Sequence, residues 1–273
     1  TRLACTVIPG RDKPHEVMQA LDALSDSPRQ PAAPALAQRE GDCPDAAGWA
    51  EAVRGVTRAI AGGGGWRKVV LARRTALHCD GAVDALGILA ALAEHTPRCF
   101  HFYFNPGGQA AFIGATPEQL FHRDGRTVHS EALAGTRPRG ATREEDTRLE
   151  GELLASAKDG REHGFVDSYV RAALGRMTRG VEGDGAVSVL KLASVQHLVR
   201  RMRGMLRRGF GDAALLAALH PTPAVCGEPP EAAVARIREA EPFDRGWYAG
   251  PVGFVGRDET RMAVGIRSAL VAD

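Results

Sequence analysis

Apolar residues recur at helical spacing in "WAEAVRGVTRAI", where Trp49, Val53, Val56 and Ile60 share one face, and Gly62 to Gly65 end the helix. The run "KVVLARR" that follows reads as a buried strand, and residues 82–95, "AVDALGILAALAEH", as a second helix. Four apolar segments come next, "CFHFYFN", "AAFIGAT", "QLFHR" and "TVHSEALAG". Turn signals "NPGG" and "RDGR" lie among them, which predicts an antiparallel meander. Residues 143–178 read as helical, 187–206 as mixed and 230–240 as helical, and "PVGFVGRDETRMAVGIRSALV" reads as a hairpin turning near Gly256 to Glu259. Residues 26–48 carry Pro, Ala and charge with no apolar period, as a linker or mobile loop does. No internal repeat is visible, and the order of elements predicts an α+β fold, with an N-terminal part over 1–48 and one large domain over 49–273.

Composition changes this picture little. The chain of 273 residues is 44% hydrophobic and 25% charged, enough for a sizeable core. A net charge of +2 gives no global reason to expect nucleic acid or membrane as partners, and no apolar run approaches the roughly 20 residues that span a bilayer. Cys5, Cys43, Cys79, Cys99 and Cys226 are scattered without CxxC or CxxH pairing, which argues against zinc or a disulfide framework and for a reducing cytoplasm.

Candidate chemistry lies where polar residues interrupt the pattern. The chain contains only Lys13, Lys68, Lys158 and Lys191 among many arginines, yet Lys68 heads the apolar run Val69-Val70-Leu71-Ala72. It is either a strand-end lysine snorkelling to water or a buried amine. Glu118, just after Thr116-Pro117 bends the chain, is either a solvated turn residue or a carboxylate aimed into a cavity. In "SAKDGREHGFVD", Glu162 shares a helical face with Lys158 and Val166, while Asp159, His163 and Asp167 form a second ridge. The ridge reads as a charged solvent face, with a carboxylate ligand for a hard cation as the alternative. The stiff loop "LHPTPAVCGEPP" (219–230) and the glycine-flanked "FDRGWYAGPVGF" (243–254) suit a pocket wall, and "RRMRGMLRR" (200–208) reads as a solvated edge.

Taken in order, "KVVLARR", "FIGATPEQLF", "EALAGTRPRG", "SAKDGREHGFV", "VQHL", "LHPTPAVCGEP" and "FDRGWYAGPVGF...AVGIRSAL" resemble the chorismate-binding enzymes, and among them those that form isochorismate, from about residue 49 to the end. The resemblance implies antiparallel sheets packed together with helices outside, and a monomer that acts on chorismate with Mg2+. It implies addition of water at C2 with loss of the C4 hydroxyl. Lys68 matches the general base and Glu118 the general acid; ammonia-using relatives lack that lysine. Glu162 matches a Mg2+ ligand, Gly135 and Thr136 a substrate-binding loop, and Arg267 the arginine that pairs with a substrate carboxylate. His197, Ala224, Val225 and Tyr248 would line the pocket. Members that go on to salicylate usually have threonine in place of Ala224, so the alanine points to isochorismate as the product; salicylate synthase and an inactive homologue are the alternatives. Family members also continue beyond the "IRSAL" strand into a glycine-rich segment and a helix with a second metal carboxylate, so the natural protein is expected to be longer.

Overall fold

The computed structural model describes residues 36–107, 110–183 and 185–272, together with Lys13, His15 and Gln19. The elements are β1 (Ala37–Cys43), α1 (Ala46–Ala61), β2 (Lys68–Val69), β3 (Arg74–Cys79), α2 (Ala85–His95), β4 (Phe100–Phe104), β5 (Ala111–Thr116), β6 (Gln119–Asp124) and β7 (Thr127–Pro138). After these come α3 (Arg143–Ala155), α4 (Ala157–Met177), β8 (Thr178–Gly183), β9 (Ser188–Lys191), β10 (Val195–Leu206) and α5 (Asp212–Leu219). The chain closes with β11 (Gly227–Glu228), α6 (Pro230–Ala240), β12 (Pro251–Val255), β13 (Glu259–Val264) and β14 (Ser268–Val271). Contacts divide the chain into Pro34–Asp273, which holds all of these elements, and Thr1–Ala33.

Every pairing among the described residues is antiparallel. The large sheet runs β12-β13-β6-β7-β10, and β8 and β9 share the far side of β10, at Met202–Leu206 and Gln196–Val199. A smaller sheet holds β5 between β4 and β14. Two connections cross from one sheet to the other, β5 to β6 and β13 to β14, because β6 pairs with β13 in the large sheet and β5 with β14 in the small one. Pro117 makes the first crossing natural, since proline cannot donate to a ladder. The core fills one face of the large sheet. Leu120, Val128, Ala132, Met202 and Leu206 meet Val166, Val170, Leu174 and Met177 of α4, which recur every three or four residues as an amphipathic helix requires. Leu215 and Leu219 of α5 complete the cluster. The expected α+β architecture is therefore present, but the expected meander is not: β4–β5 and β6–β7 are hairpins in separate sheets, because the chain changes sheet at Pro117.

Several local expectations differ. "KVVLARR" is not one strand: only Lys68 and Val69 pair, with Glu228 and Gly227, and one further backbone bond, from the Val70 N–H to the Cys226 carbonyl at 2.8 Å, follows them. Within the expected loop, residues 26–35 lie outside the described residues, but Ala37–Cys43 is a strand paired with β3. Its residues are mostly exposed, so no apolar alternation marks it. Residues 143–177 are helical as expected, in two helices that meet at Ser156, whose hydroxyl accepts the Asp159 N–H and caps the second. The arginine run is not an edge. It lies on β10 between β7 and β8, with Met202, Gly204 and Leu206 buried and Arg201 and Arg203 turned to solvent. The helix at 212–219 carries too little periodicity to announce itself. Cys43, Cys79, Cys99 and Cys226 are free thiols, and Cys5 lies outside the described residues.

One buried ion pair fastens the β12–β13 turn to α5. The Arg123 guanidinium donates to both Asp212 oxygens (2.6 and 2.9 Å), to the Gly256 carbonyl (2.8 Å) and to the Thr260 hydroxyl (2.9 Å). Asp212→Ala leaves that charge uncompensated and is expected to lower stability by about 3 kcal/mol, read from urea unfolding. A loss within experimental error of zero would mean that the pair is hydrated and not structural.

Candidate active site

Lys68 stands at the start of the two-residue β2, opposite Glu228. Its side chain is 10% exposed, and Nζ lies 3.3 Å from Oε1 of Glu162 on α4, near enough for charge pairing but poorly angled for a hydrogen bond. Burial holds the ammonium below the usual lysine range, against the opposing pull of Glu162 and Glu118. The snorkelling alternative therefore does not describe this side chain.

Glu118 occupies the β5 to β6 crossing. Its carbonyl accepts the Val264 N–H at 3.0 Å and its own N–H donates to the Thr116 hydroxyl at 3.2 Å, so the backbone is fixed on both sides. The residue is 6% exposed, and Oε1 accepts the Thr222 hydroxyl at 3.3 Å. Burial pushes the carboxyl up to about 7, while Thr222, Lys68 and Arg267 draw it down and Glu131 pushes it further up. A solvated turn carboxylate would not be raised by burial in this way. Thr222 and Glu131 are participants that the sequence reading passed over. Thr222 lies in the loop read as a wall, and Glu131 is a polar position in an alternating strand. Burial raises the Glu131 carboxyl as well, although Arg201 lies 3.9 Å away.

A second group gathers at the other sheet crossing. Arg267 adopts φ of 50°, a conformation that ordinary side chains rarely take, and its carbonyl accepts the Ala115 N–H at 3.1 Å. Its Nη2 donates to His197 Nε2 at 2.7 Å. That contact makes Nε2 the acceptor, so the imidazole proton sits on Nδ1, which reaches the Gly135 carbonyl at 3.1 Å and the Thr136 hydroxyl at 3.0 Å. Burial and the Arg267 charge both keep His197 below the usual histidine range and therefore neutral. Gly135 is required at this bend: φ is +74°, and a Cβ would come within 3.1 Å of Asp159.

The structure thus brings Lys68, Glu118 and Glu162 into one electrostatic group and Gly135, Thr136, His197 and Arg267 into another, with the Arg267 charge felt at Glu118. The Tyr248 phenol also feels Glu118, and burial raises it. Ala224 and Val225 pack against the main apolar cluster and make no hydrogen bond through their side chains to the polar groups. The ridge Asp159–His163–Asp167 is not a solvent face. Asp159 is buried against Arg137 at 2.8 Å, His163 is buried with Nε2 donating to the Ala132 carbonyl at 3.1 Å, and Asp167 holds Arg200 at 3.2 Å. A cleft of about 570 Å³ lined by Thr96, Cys99, Arg139, Leu192 and Ser194 includes Arg267 but neither Lys68 nor Glu118.

Chemically the first group offers an amine that burial makes readier to lose its proton than an ordinary lysine and an acid that keeps one near neutrality, the combination for proton abstraction and donation at one site. Among the described residues no three His, Cys, Asp or Glu side chains converge as a metal cluster. Glu162 nevertheless fits as one ligand for Mg2+. Its side chain is 36% exposed, and Mg2+ takes one or two protein carboxylates and leaves the rest to substrate and water.

A family model described as chorismate binding enzyme matches residues 5–273. The chain is 47% identical over 204 residues to isochorismate synthase 2, chloroplastic, of Arabidopsis thaliana, an overlap covering 75% of this chain and 36% of the plant protein. It is 40% identical over 205 residues to isochorismate synthase MenF of Bacillus subtilis (strain 168), covering 75% of this chain and 43% of the relative. The solved structure of MenF, the menaquinone-specific isochorismate synthase from Escherichia coli, matches with a TM-score of 0.85 at 34% identity, over 94% of this chain and 60% of that one. The chain therefore spans less than two thirds of the length of each of these relatives.

Proposed function

This chain belongs to the chorismate-binding enzymes, and from that premise we propose that it isomerises chorismate to isochorismate. The observation that carries the reading is the buried pair of opposite character, Lys68 with its pKa lowered and Glu118 with its pKa raised, each feeling the other's charge. Lys68, as the neutral amine, takes a proton from water as the oxygen bonds to C2. The ring double bonds shift, and Glu118 protonates the C4 oxygen as its bond to carbon breaks, so that water leaves. Atoms balance: one water enters and one departs, and the two side chains exchange their protonation states, which solvent restores. Arginine in place of Lys68 could not act as the base, because guanidinium does not deprotonate in this range.

Arg267, held against neutral His197, presents a cation to a substrate carboxylate, and Gly135 and Thr136 shape the adjoining wall. Mg2+ on Glu162 would neutralise a second carboxylate of the substrate when bound. Ala224 supports isochorismate as the final product over elimination to salicylate. No described helix is long and apolar enough to cross a membrane, and we place the reaction in a reducing cytoplasm, where the four described free thiols remain reduced. The names of the relatives suggest that the product supplies menaquinone or siderophore synthesis.

The test is product analysis. Purified protein incubated with chorismate and Mg2+ is expected to yield isochorismate without salicylate on chromatography. Salicylate as the main product would favour the lyase alternative, and unchanged chorismate would overturn the proposal.

A further inference from the structure

Lys68 is held by very little regular structure, since β2 is two residues long and its pairing with 226–228 stops after the Val70 N–H donates to the Cys226 carbonyl at 2.8 Å. The Val70 carbonyl and the Ala72 N–H then have no strand partner of their own. Two side chains from 241–245 take their place. Glu241, with a side chain 3% exposed, accepts the Ala72 N–H at 2.7 Å. Arg245 donates to both Glu241 oxygens at 2.8 and 2.5 Å, to the Val70 carbonyl at 2.8 Å and to the Val225 carbonyl at 2.9 Å. Its guanidinium carbon also lies 5.8 Å from the centre of the Tyr248 ring.

The placement of these contacts matters. Val70 lies two residues after Lys68. Val225 lies three residues after Thr222, whose hydroxyl touches the Glu118 carboxyl, and its N–H donates to the Thr222 carbonyl at 3.2 Å. One planar cation therefore spans the segment that carries the amine, the loop that supplies the hydrogen bond to the acid, and the aromatic wall between glycines. A lysine has no fork to reach two carbonyls and a carboxylate together.

We propose that Arg245 and Glu241 are positioning residues that set the separation of Lys68 from Glu118, acting as a side-chain substitute for the strand that β2 lacks. The inference rests on the isomerase reading for its kinetic consequence but not for its geometric one, and the experiment separates the two. The variants are Arg245→Met with Glu241→Met, which removes both buried charges together and is therefore compatible with folding, and Arg245→Lys, which keeps the charge opposite Glu241. Both are compared with wild type for circular dichroism and cooperative melting. Trace labelling with acetic anhydride at pH 8, resolved by mass spectrometry, then reports the Lys68 amine relative to exposed Lys158.

In folded variants, Lys68 labelling is expected to rise about five-fold or more as the segment loosens. With chorismate, kcat is expected to fall about 100-fold with KM nearly unchanged, because misplacement of the base affects the chemical step and not substrate binding. Wild-type labelling in a folded variant would overturn the proposal, even if kcat falls, since the amine would then not have moved. If wild type itself leaves chorismate unchanged, the isomerase reading fails while the labelling comparison still decides the role of Arg245. If the double variant does not fold, Arg245→Lys carries the same comparison.

Discussion

Replacement of Lys68 by alanine is expected to lower isochorismate formation about 10³-fold, the scale on which general acid–base groups contribute, and replacement by arginine is expected to do no better. The arginine variant is the sharper of the two. It keeps a cation beside Glu162, so a role limited to charge pairing would survive it, whereas a proton-accepting role would not. Neither change should disturb the fold by more than a few degrees in Tm. The side chain makes one ion-pair contact, and its partner Glu162 is one-third exposed and can be hydrated when left alone. Turnover close to wild type in Lys68→Arg, measured by chromatography at saturating chorismate, would remove Lys68 from the role of base.

Glu118→Gln is expected to act in opposite directions on activity and stability. Turnover should again fall about 10³-fold, because the amide has no proton to give to the departing hydroxyl. Stability should rise above neutral pH. The carboxyl is raised from 4.5 to about 7 by burial, so between those values the folded chain holds a proton that the unfolded chain has lost. The wild type therefore loses stability as pH climbs through this window, by up to about 3 kcal/mol. Below 4.5 both states are protonated and that contribution is whole. Glutamine carries no such titration, so the advantage of Glu118→Gln should be near zero at pH 4.5, grow through pH 7 and level off beyond. Thermal unfolding at pH 5 and pH 8 reads it directly. An equal difference in Tm at the two values would show that the carboxyl is hydrated in the folded state and titrates normally.

The proposed base and acid stood out in the sequence because each broke a pattern, and the resemblance, not the pattern, supplied their roles. Lys68 is a lysine in a chain that uses arginine, at the head of an apolar run. Glu118 follows a proline between two apolar strands, whereas Arg267 was marked only by the resemblance of "GIRSAL". The residues that fix them were not legible. Thr222 acts through a hydroxyl in a loop whose composition says only that it is stiff. Glu131 occupies a position at which any polar residue would satisfy the alternation of β7. Arg245 and Glu241 are a charged pair four residues apart, as surface helices commonly carry, and only the three-dimensional path of Val70 and Val225 shows their carbonyl and amide partners. The strand at 37–43 was hidden for a related reason: with nothing buried on either face, its shape comes from hydrogen bonding to 74–79 and not from its own apolar pattern.

The two sheet crossings also govern the order in which the site comes into being. The acid sits where β5 leaves β14 for the company of β13, so both of its flanking strands find partners near residues 259–271. The amine's segment is fastened by groups 169 and 175 positions further along the chain. Closing loops of that length costs entropy before any contact returns it, and topologies of this kind fold slowly. A nascent chain that has reached residue 240 carries Lys68, Glu118 and Glu162 but neither Arg245 nor β13 and β14, which fasten the amine's segment and the acid's two strands. The proposed site should therefore close in one late step relative to its own residues, after Arg245 and then β13 and β14 emerge, and the nascent chain carries the amine and the acid unassembled until then.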